Sequence, residues 1–90
     1  SEGSAVENVY KPLGGAVEAV EFTATATAKF LDTPLKDLGR RLKPGILVAA
    51  IAREGRTIIP DGSTAIRAGD KVIIMAKSIF LQELDEILLE

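Results

Sequence analysis

Histidine and cysteine are both missing from these 90 residues, which removes most side-chain chemistry at once. Without an imidazole there is no His-based acid–base pair, no Ser-His triad and no His metal site. Without a thiol there is no disulfide, thiolate nucleophile or Cys metal site. Carboxylates and cations remain. Asp61-Gly62 and Gly69-Asp70 pair an aspartate with a glycine; each reads as a turn whose carboxylate accepts backbone N–H groups, rather than as a catalytic acid. Neither has the neighbours of a calcium loop. Gly14-Gly15 is no phosphate loop, since no strand precedes it and no Gly-Lys-Ser/Thr follows. Arg40, Arg41 and Lys43 are the basic cluster of the chain, read as solvated charge or as an anion site. Arg53 and Arg56 flank a turn and read as solvated, or as paired to Glu54 or Asp61. No nucleophile–base pair is visible, so the chain reads as a non-enzyme.

Periodicity supplies the elements that would position these groups. Val17 to Phe30 alternates, with Val20, Phe22, Ala24, Ala26, Ala28 and Phe30 on one parity and Thr23, Thr25, Thr27 and Lys29 on the other. That is a strand with a core face and a solvated face. Thr33 and Pro34 read as a helix cap and first position, and Leu35, Leu38 and Leu42 mark the buried side of a short helix. Lys43-Pro44-Gly45 ends it in a turn. Ile46 to Ala52 is apolar at both parities, which predicts a central strand covered on both faces. A hairpin at Glu54-Gly55 leads to a strand over Thr57–Ile59, stopped by Pro60. Gly69-Asp70 then turns the chain into a strand over Lys71–Lys77. Ser78 reads as the cap of a last helix whose stripe is Phe80, Leu81, Leu84, Ile87 and Leu88.

Before Gly15 the pattern weakens. Ser1, Gly3 and Ser4 favour a loop, while Val6, Val9 and Tyr10 fall at helical spacing. Residues 1–15 therefore read as a linker or the remnant of a preceding domain, and 16–90 as one domain. The start at Ser1, without Met, suggests a piece of a longer chain. A net charge of −2 without segregation by sign argues against nucleic acid as partner. No apolar run approaches the roughly 20 residues that span a bilayer, so direct membrane insertion is not expected, and the lack of cysteine fits the cytosol. So short a chain buries only roughly 60–65% of its unfolded surface; with a strand apolar on both faces, this predicts a homodimer.

The ordered set Arg53-x-Gly55, Ile58-Ile59-Pro60, Gly62 and Gly69-Asp70 before an apolar run resembles the TrkA C-terminal (RCK C) domain family, over about Glu18 to the C-terminus. The opening VYKPLGGAVEAVEF and the final segment look like the end of a TrkA-type potassium-uptake regulator. The resemblance implies a cytoplasmic regulatory subunit on a membrane potassium transporter, C domains that dimerise and sense small ligands, and a preceding Rossmann-type domain that binds nucleotide. This chain has no GxGxxG, so no nucleotide cofactor is carried over to it. Some family members bind cyclic di-AMP between two C domains, through an Arg ending the short helix and an Asn starting the next strand. Arg41 matches the first, and Leu47 stands in place of the Asn. The expected site is therefore Arg41 with Leu47 as apolar wall and Pro60 as rim, for a cyclic dinucleotide or another small anion. Alternatives are the same module in another cation antiporter or anion carrier, and a ligand-free dimerisation module. The expected fold is α+β: a small, mainly antiparallel sheet of about four strands, with a short helix after the first strand and a C-terminal amphipathic helix.

Overall fold

The computed structural model describes residues 4–90, with the backbone alone at Leu13; Ser1 and Gly3, read above as loop-forming, lie outside the described residues. Five strands form: β1 (Val6–Tyr10), β2 (Val17–Thr23), β3 (Ile46–Arg53), β4 (Arg56–Ile58) and β5 (Lys71–Lys77). They make a single antiparallel sheet in the order β1-β2-β5-β3-β4. One short helix, α1 (Leu35–Leu38), links β2 to β3. The expectation of about four strands is thus corrected to five. The added strand is β1, whose Val9 and Tyr10 pair with Val20 and Ala19. The expected central place of Ile46–Ala52 is corrected too: β5 is central because β2 pairs with it rather than with β3.

Alternation builds one buried face. Val20 and Phe22 of β2, Val48 and Ile51 of β3, and Val72, Ile74 and Ala76 of β5 are buried there with Phe30, Leu38, Ile66, Leu81, Leu84, Ile87 and Leu88. The opposite face is only half covered: Ala19, Met75 and Leu47 share one row across three strands, and Leu47 is 62% exposed. The expectation that β3 is covered on both sides therefore fails at Leu47. Past Thr23 the period-2 pattern stops being a strand. Ala24 N–H donates to Asp70 O and Thr25 N–H to Ser4 Oγ, so turns carry the chain to Phe30, which remains buried.

The hairpin forms where expected. Glu54 and Gly55 have φ of 51° and 78°, the pair of positive values a two-residue type I′ turn demands. The cap does not. Thr33 Oγ1 donates to Leu31 O, and the first free N–H groups of the helix are taken by distant carbonyls instead: Leu35 N–H by Thr64 O and Lys36 N–H by Gly62 O, each 2.9 Å.

The expected C-terminal helix is also corrected: only a 3-10 turn, Leu84–Ile87, is present. A continuous helix needs its N–H groups for bonds four residues back, and here they serve neighbours. Leu84 N–H donates to Ser4 O and Leu89 N–H to Arg41 O, while Gln82 O and Ile87 O accept from Val6 and Lys43. A capping box between Glu83 and Glu86 closes the single turn. Ser78, read as the cap, instead has a φ of 63°. The apolar stripe keeps its purpose, since Leu81, Leu84, Ile87 and Leu88 are buried, but Phe80 is 80% exposed.

Ser4 is the anchor of the leading strand. It is buried, its Oγ accepts from Thr25 N–H at 2.8 Å, and its carbonyl accepts from Leu84 N–H at 2.8 Å. Ser4→Ala leaves Thr25 N–H without its acceptor and is expected to cost about 1–2 kcal/mol. Urea unfolding measures this, and a midpoint equal to wild type would mean that the leading strand is not tied down there.

Candidate functional site

The turn at Lys43-Pro44-Gly45 leads from α1 to the start of β3, and the carbonyls of Gly62 and Thr64, accepting from Lys36 and Leu35 N–H, hold the chain after Pro60 against the N-terminal end of the helix. Gly62 permits this closeness: a Cβ there would lie 3.2 Å from Lys36 Cβ. Between these segments runs an open groove of about 330 Å³. Leu35, Leu42, Ile46, Val48 and Leu47 give it apolar walls, Pro60 and Gly62 a rim, and Lys36 and Asp61 one charge of each sign. β4 pairs only with Ile51–Arg53, so among the described residues the edge of β3 away from β5 has no strand beside Ile46, Leu47 and Val48.

Leu47 and Pro60 therefore meet in one groove. Arg41 stands outside its lining, next in sequence to Leu42. Its guanidinium faces the end of the chain, with Nε 2.9 Å and Nη2 2.8 Å from Glu90 Oε1. Glu90 is an exposed carboxylate, and the guanidinium hydrogen bond holds it below its usual range. Asp61 is held low as well, first by the Ser63 hydroxyl, then by Ser63 N–H and Thr64. Of these two carboxylates only Asp61 lines the groove, so at neutral pH the groove carries the negative charge of Asp61 and the positive charge of Lys36. Such a site suits a flat apolar ring carrying mixed polar groups better than a bare anion.

Sequence reasoning did not reach Lys36, Asp61 or Glu90 as neighbours of this site. The Arg41–Glu90 pair spans 49 residues, and no local spacing signals it. Among the described residues no group of three or more His, Cys, Asp or Glu is placed to hold a metal ion, and no helix is long and apolar enough to cross a membrane.

The second charged constellation is structural. Arg53, expected to be solvated or paired to Glu54 or Asp61, instead donates from Nε to Asp70 Oδ1 at 2.9 Å and from Nη2 to Asp70 Oδ2 at 2.7 Å and Ala65 O at 2.8 Å. Asp70 also accepts from Arg67 N–H at 2.8 Å, and only 1% of it is exposed. The carboxylate thus clips the 65–70 connector to the hairpin.

The TrkA-C domain family model matches residues 19–89, most of the chain and all of the groove. The chain belongs to the TrkA-C domain family. Curated relatives agree. It is 29% identical over 82 residues to the Trk system potassium uptake protein TrkA of Azorhizobium caulinodans, covering 91% of this chain and 18% of that protein. It is 29% identical over 85 residues to TrkA homolog 2 of Methanosarcina mazei (94% and 18%) and 37% identical over 65 residues to the TrkA homolog of Archaeoglobus fulgidus (72% and 14%). The TrkA-C domain therefore spans about a fifth of the first two relatives' length. Its strand β1 precedes the matched residues, whereas Arg41, Leu47 and Pro60 all fall within them.

Proposed function

We propose that residues 16–90 are the regulatory, dimerising domain of a cytoplasmic subunit that controls a membrane potassium transporter, with residues 1–15 leading in from a Rossmann-type domain. The observation that carries this reading is the family match over 19–89, whose relatives are named as Trk system potassium uptake proteins. In this reading the domain is not an enzyme. It acts by coupling dimer geometry and ligand occupancy to the transporter, as a linkage between two sites. The ligand is a cyclic dinucleotide or related small anion, seated in the groove against Leu47 and Pro60 with its phosphate toward Arg41. Two copies about a two-fold axis bring two such guanidinium groups to one symmetric ligand. With leucine at position 47, base-edge hydrogen bonding is lost and cyclic di-AMP binds weakly.

Sedimentation equilibrium at micromolar concentration should give twice the chain mass, and calorimetry should show heat with cyclic di-AMP that falls at least tenfold in affinity in Arg41→Ala. A monomer at high concentration removes the dimer. Binding indifferent to Arg41→Ala removes the site. Potassium uptake by cells carrying the longer protein with and without residues 16–90 tests the role itself; equal uptake would refute it. One observation favours the ligand-free dimerisation module instead: the Arg41 fork is already satisfied by Glu90.

A further inference from the structure

We infer that Glu90 is an internal competitor for the anion site, and that its displacement from Arg41 loosens the C-terminal segment. The inference rests on the reading of Arg41 as a phosphate ligand and adds the regulation of that site. Arg41 offers Nε and Nη2 to one carboxylate oxygen, at 2.9 and 2.8 Å. Those are the two donors that a phosphate oxygen would take. A ligand reaching Arg41 through this fork must therefore replace Glu90.

The contact is built to be replaceable. The side chains of Arg41 and Glu90 are 41% and 54% exposed, so water and salt screen the pair and it holds weakly. Besides Arg41, the carboxylate meets its own backbone N–H and, more weakly, the charge of Lys29. A phosphodiester bringing ring contacts with Leu47 and Pro60 has more to gain at the same fork.

The carboxylate also sits at the end of a strap with two attachments. One end is bonded to the leading segment, through Val6 N–H to Gln82 O and Leu84 N–H to Ser4 O. The other is bonded to the groove side, through Lys43 N–H to Ile87 O at 2.8 Å and Leu89 N–H to Arg41 O at 2.7 Å, with a bridge between Leu42 and Leu88. Leu42 lines the groove. The segment 82–89 thus joins the strand that leads into the domain to the residues beside the candidate site. Releasing Glu90 frees the outermost contact of the groove-side attachment, and the Leu89 amide is the first to feel it. Coupling of this kind is reciprocal: what loosens the strap favours the ligand, and the ligand loosens the strap.

The test is a titration of the chain with cyclic di-AMP, read by calorimetry and by amide exchange at Leu89, in wild type, Glu90→Gln, Arg41→Ala and the double variant. Glu90→Gln should bind roughly two- to five-fold more tightly, the range expected for an exposed ion pair. Its Leu89 amide should exchange faster before ligand is added, and wild type should reach that faster rate on saturation. In the Arg41→Ala background Glu90→Gln should bring no gain. If Glu90→Gln binds as wild type does while Arg41→Ala weakens binding, the competition is overturned and the anion site stands. If the gain persists without Arg41, the effect is one of net charge and the inference is wrong. If no variant binds, the reading of the site falls and the inference with it.

Discussion

Asp70→Asn is expected to lower the unfolding free energy by about 3 kcal/mol, against a total on the order of 5–13 kcal/mol for a chain of 90 residues. The substitution keeps the shape of the side chain and removes its charge. Arg53 then keeps a guanidinium whose counter-ion is gone, and its side chain is only 18% exposed. That residual exposure places the cost at the lower end for a broken buried pair. Arg67 N–H and Arg53 Nη2 also lose an ionised acceptor. Urea unfolding of the two proteins measures the difference; a loss under about 1 kcal/mol would place the pair among ordinary surface ion pairs. The same group gives a pH dependence. Burial pushes the Asp70 carboxyl up, but the Arg53 guanidinium and Arg67 N–H outweigh burial and hold it below its ordinary value. A depressed carboxylate stabilises the fold above its unfolded pKa of about 3.9, and that contribution is lost as pH falls through the lower folded value. Wild type should therefore lose stability from about pH 4 downward more steeply than Asp70→Asn, whereas between neutrality and about pH 5 this group's contribution is fully present and adds no pH dependence.

Gly45→Ala is expected to cost about 2–3 kcal/mol, far more than the same change at Gly55. Gly45 has a φ of 88°, and a Cβ there would lie 2.7 Å from Lys77 O. Neither side can yield cheaply. Lys77 N–H donates to Gly45 O at 2.9 Å, and Lys77 ends β5, the strand in the middle of the sheet. Gly55 also has positive φ, at 78°, but a Cβ there meets nothing within 4 Å, so Gly55→Ala should cost only the left-handed conformation, about 1 kcal/mol. Thermal or urea unfolding of the two variants side by side isolates the close approach. Equal losses would show that the contact at Gly45 relaxes freely.

Much of the fold was legible in local pattern. Glycine at position 55 signalled the hairpin because a type I′ turn needs positive φ, and the alternation of Lys71–Lys77 placed Val72, Ile74 and Ala76 on the buried face. The site was legible only in part. Leu47 came from the resemblance and Pro60 from its rigidity as a rim, and both line the groove, while Arg41 does not. Lys36 and Asp61 were not, because both read as ordinary exposed charge.

The misreadings share one cause. Phe80 to Leu88 has the spacing of an amphipathic helix, and that spacing correctly marked Leu81, Leu84, Ile87 and Leu88 for burial. It could not reveal that Ser4, Val6, Arg41 and Lys43 would supply or demand the backbone bonds that a helix makes within itself. Thr33 lost its capping role to the carbonyls of Gly62 and Thr64 in the same way, and Arg53 found its carboxylate 17 residues away. By itself the sequence determined most of the buried apolar set, the hairpin turn at Glu54-Gly55, and that neither imidazole nor thiol chemistry is available. Only the tertiary structure decided that β5 is the central strand, that β1 joins the sheet, that Arg53 holds Asp70 and that Glu90 holds Arg41. Burial and turning follow from residue type and spacing over a few positions. Partners for a backbone group or a charge are chosen among everything the fold brings within about 3 Å, and sequence distance has no say in that choice.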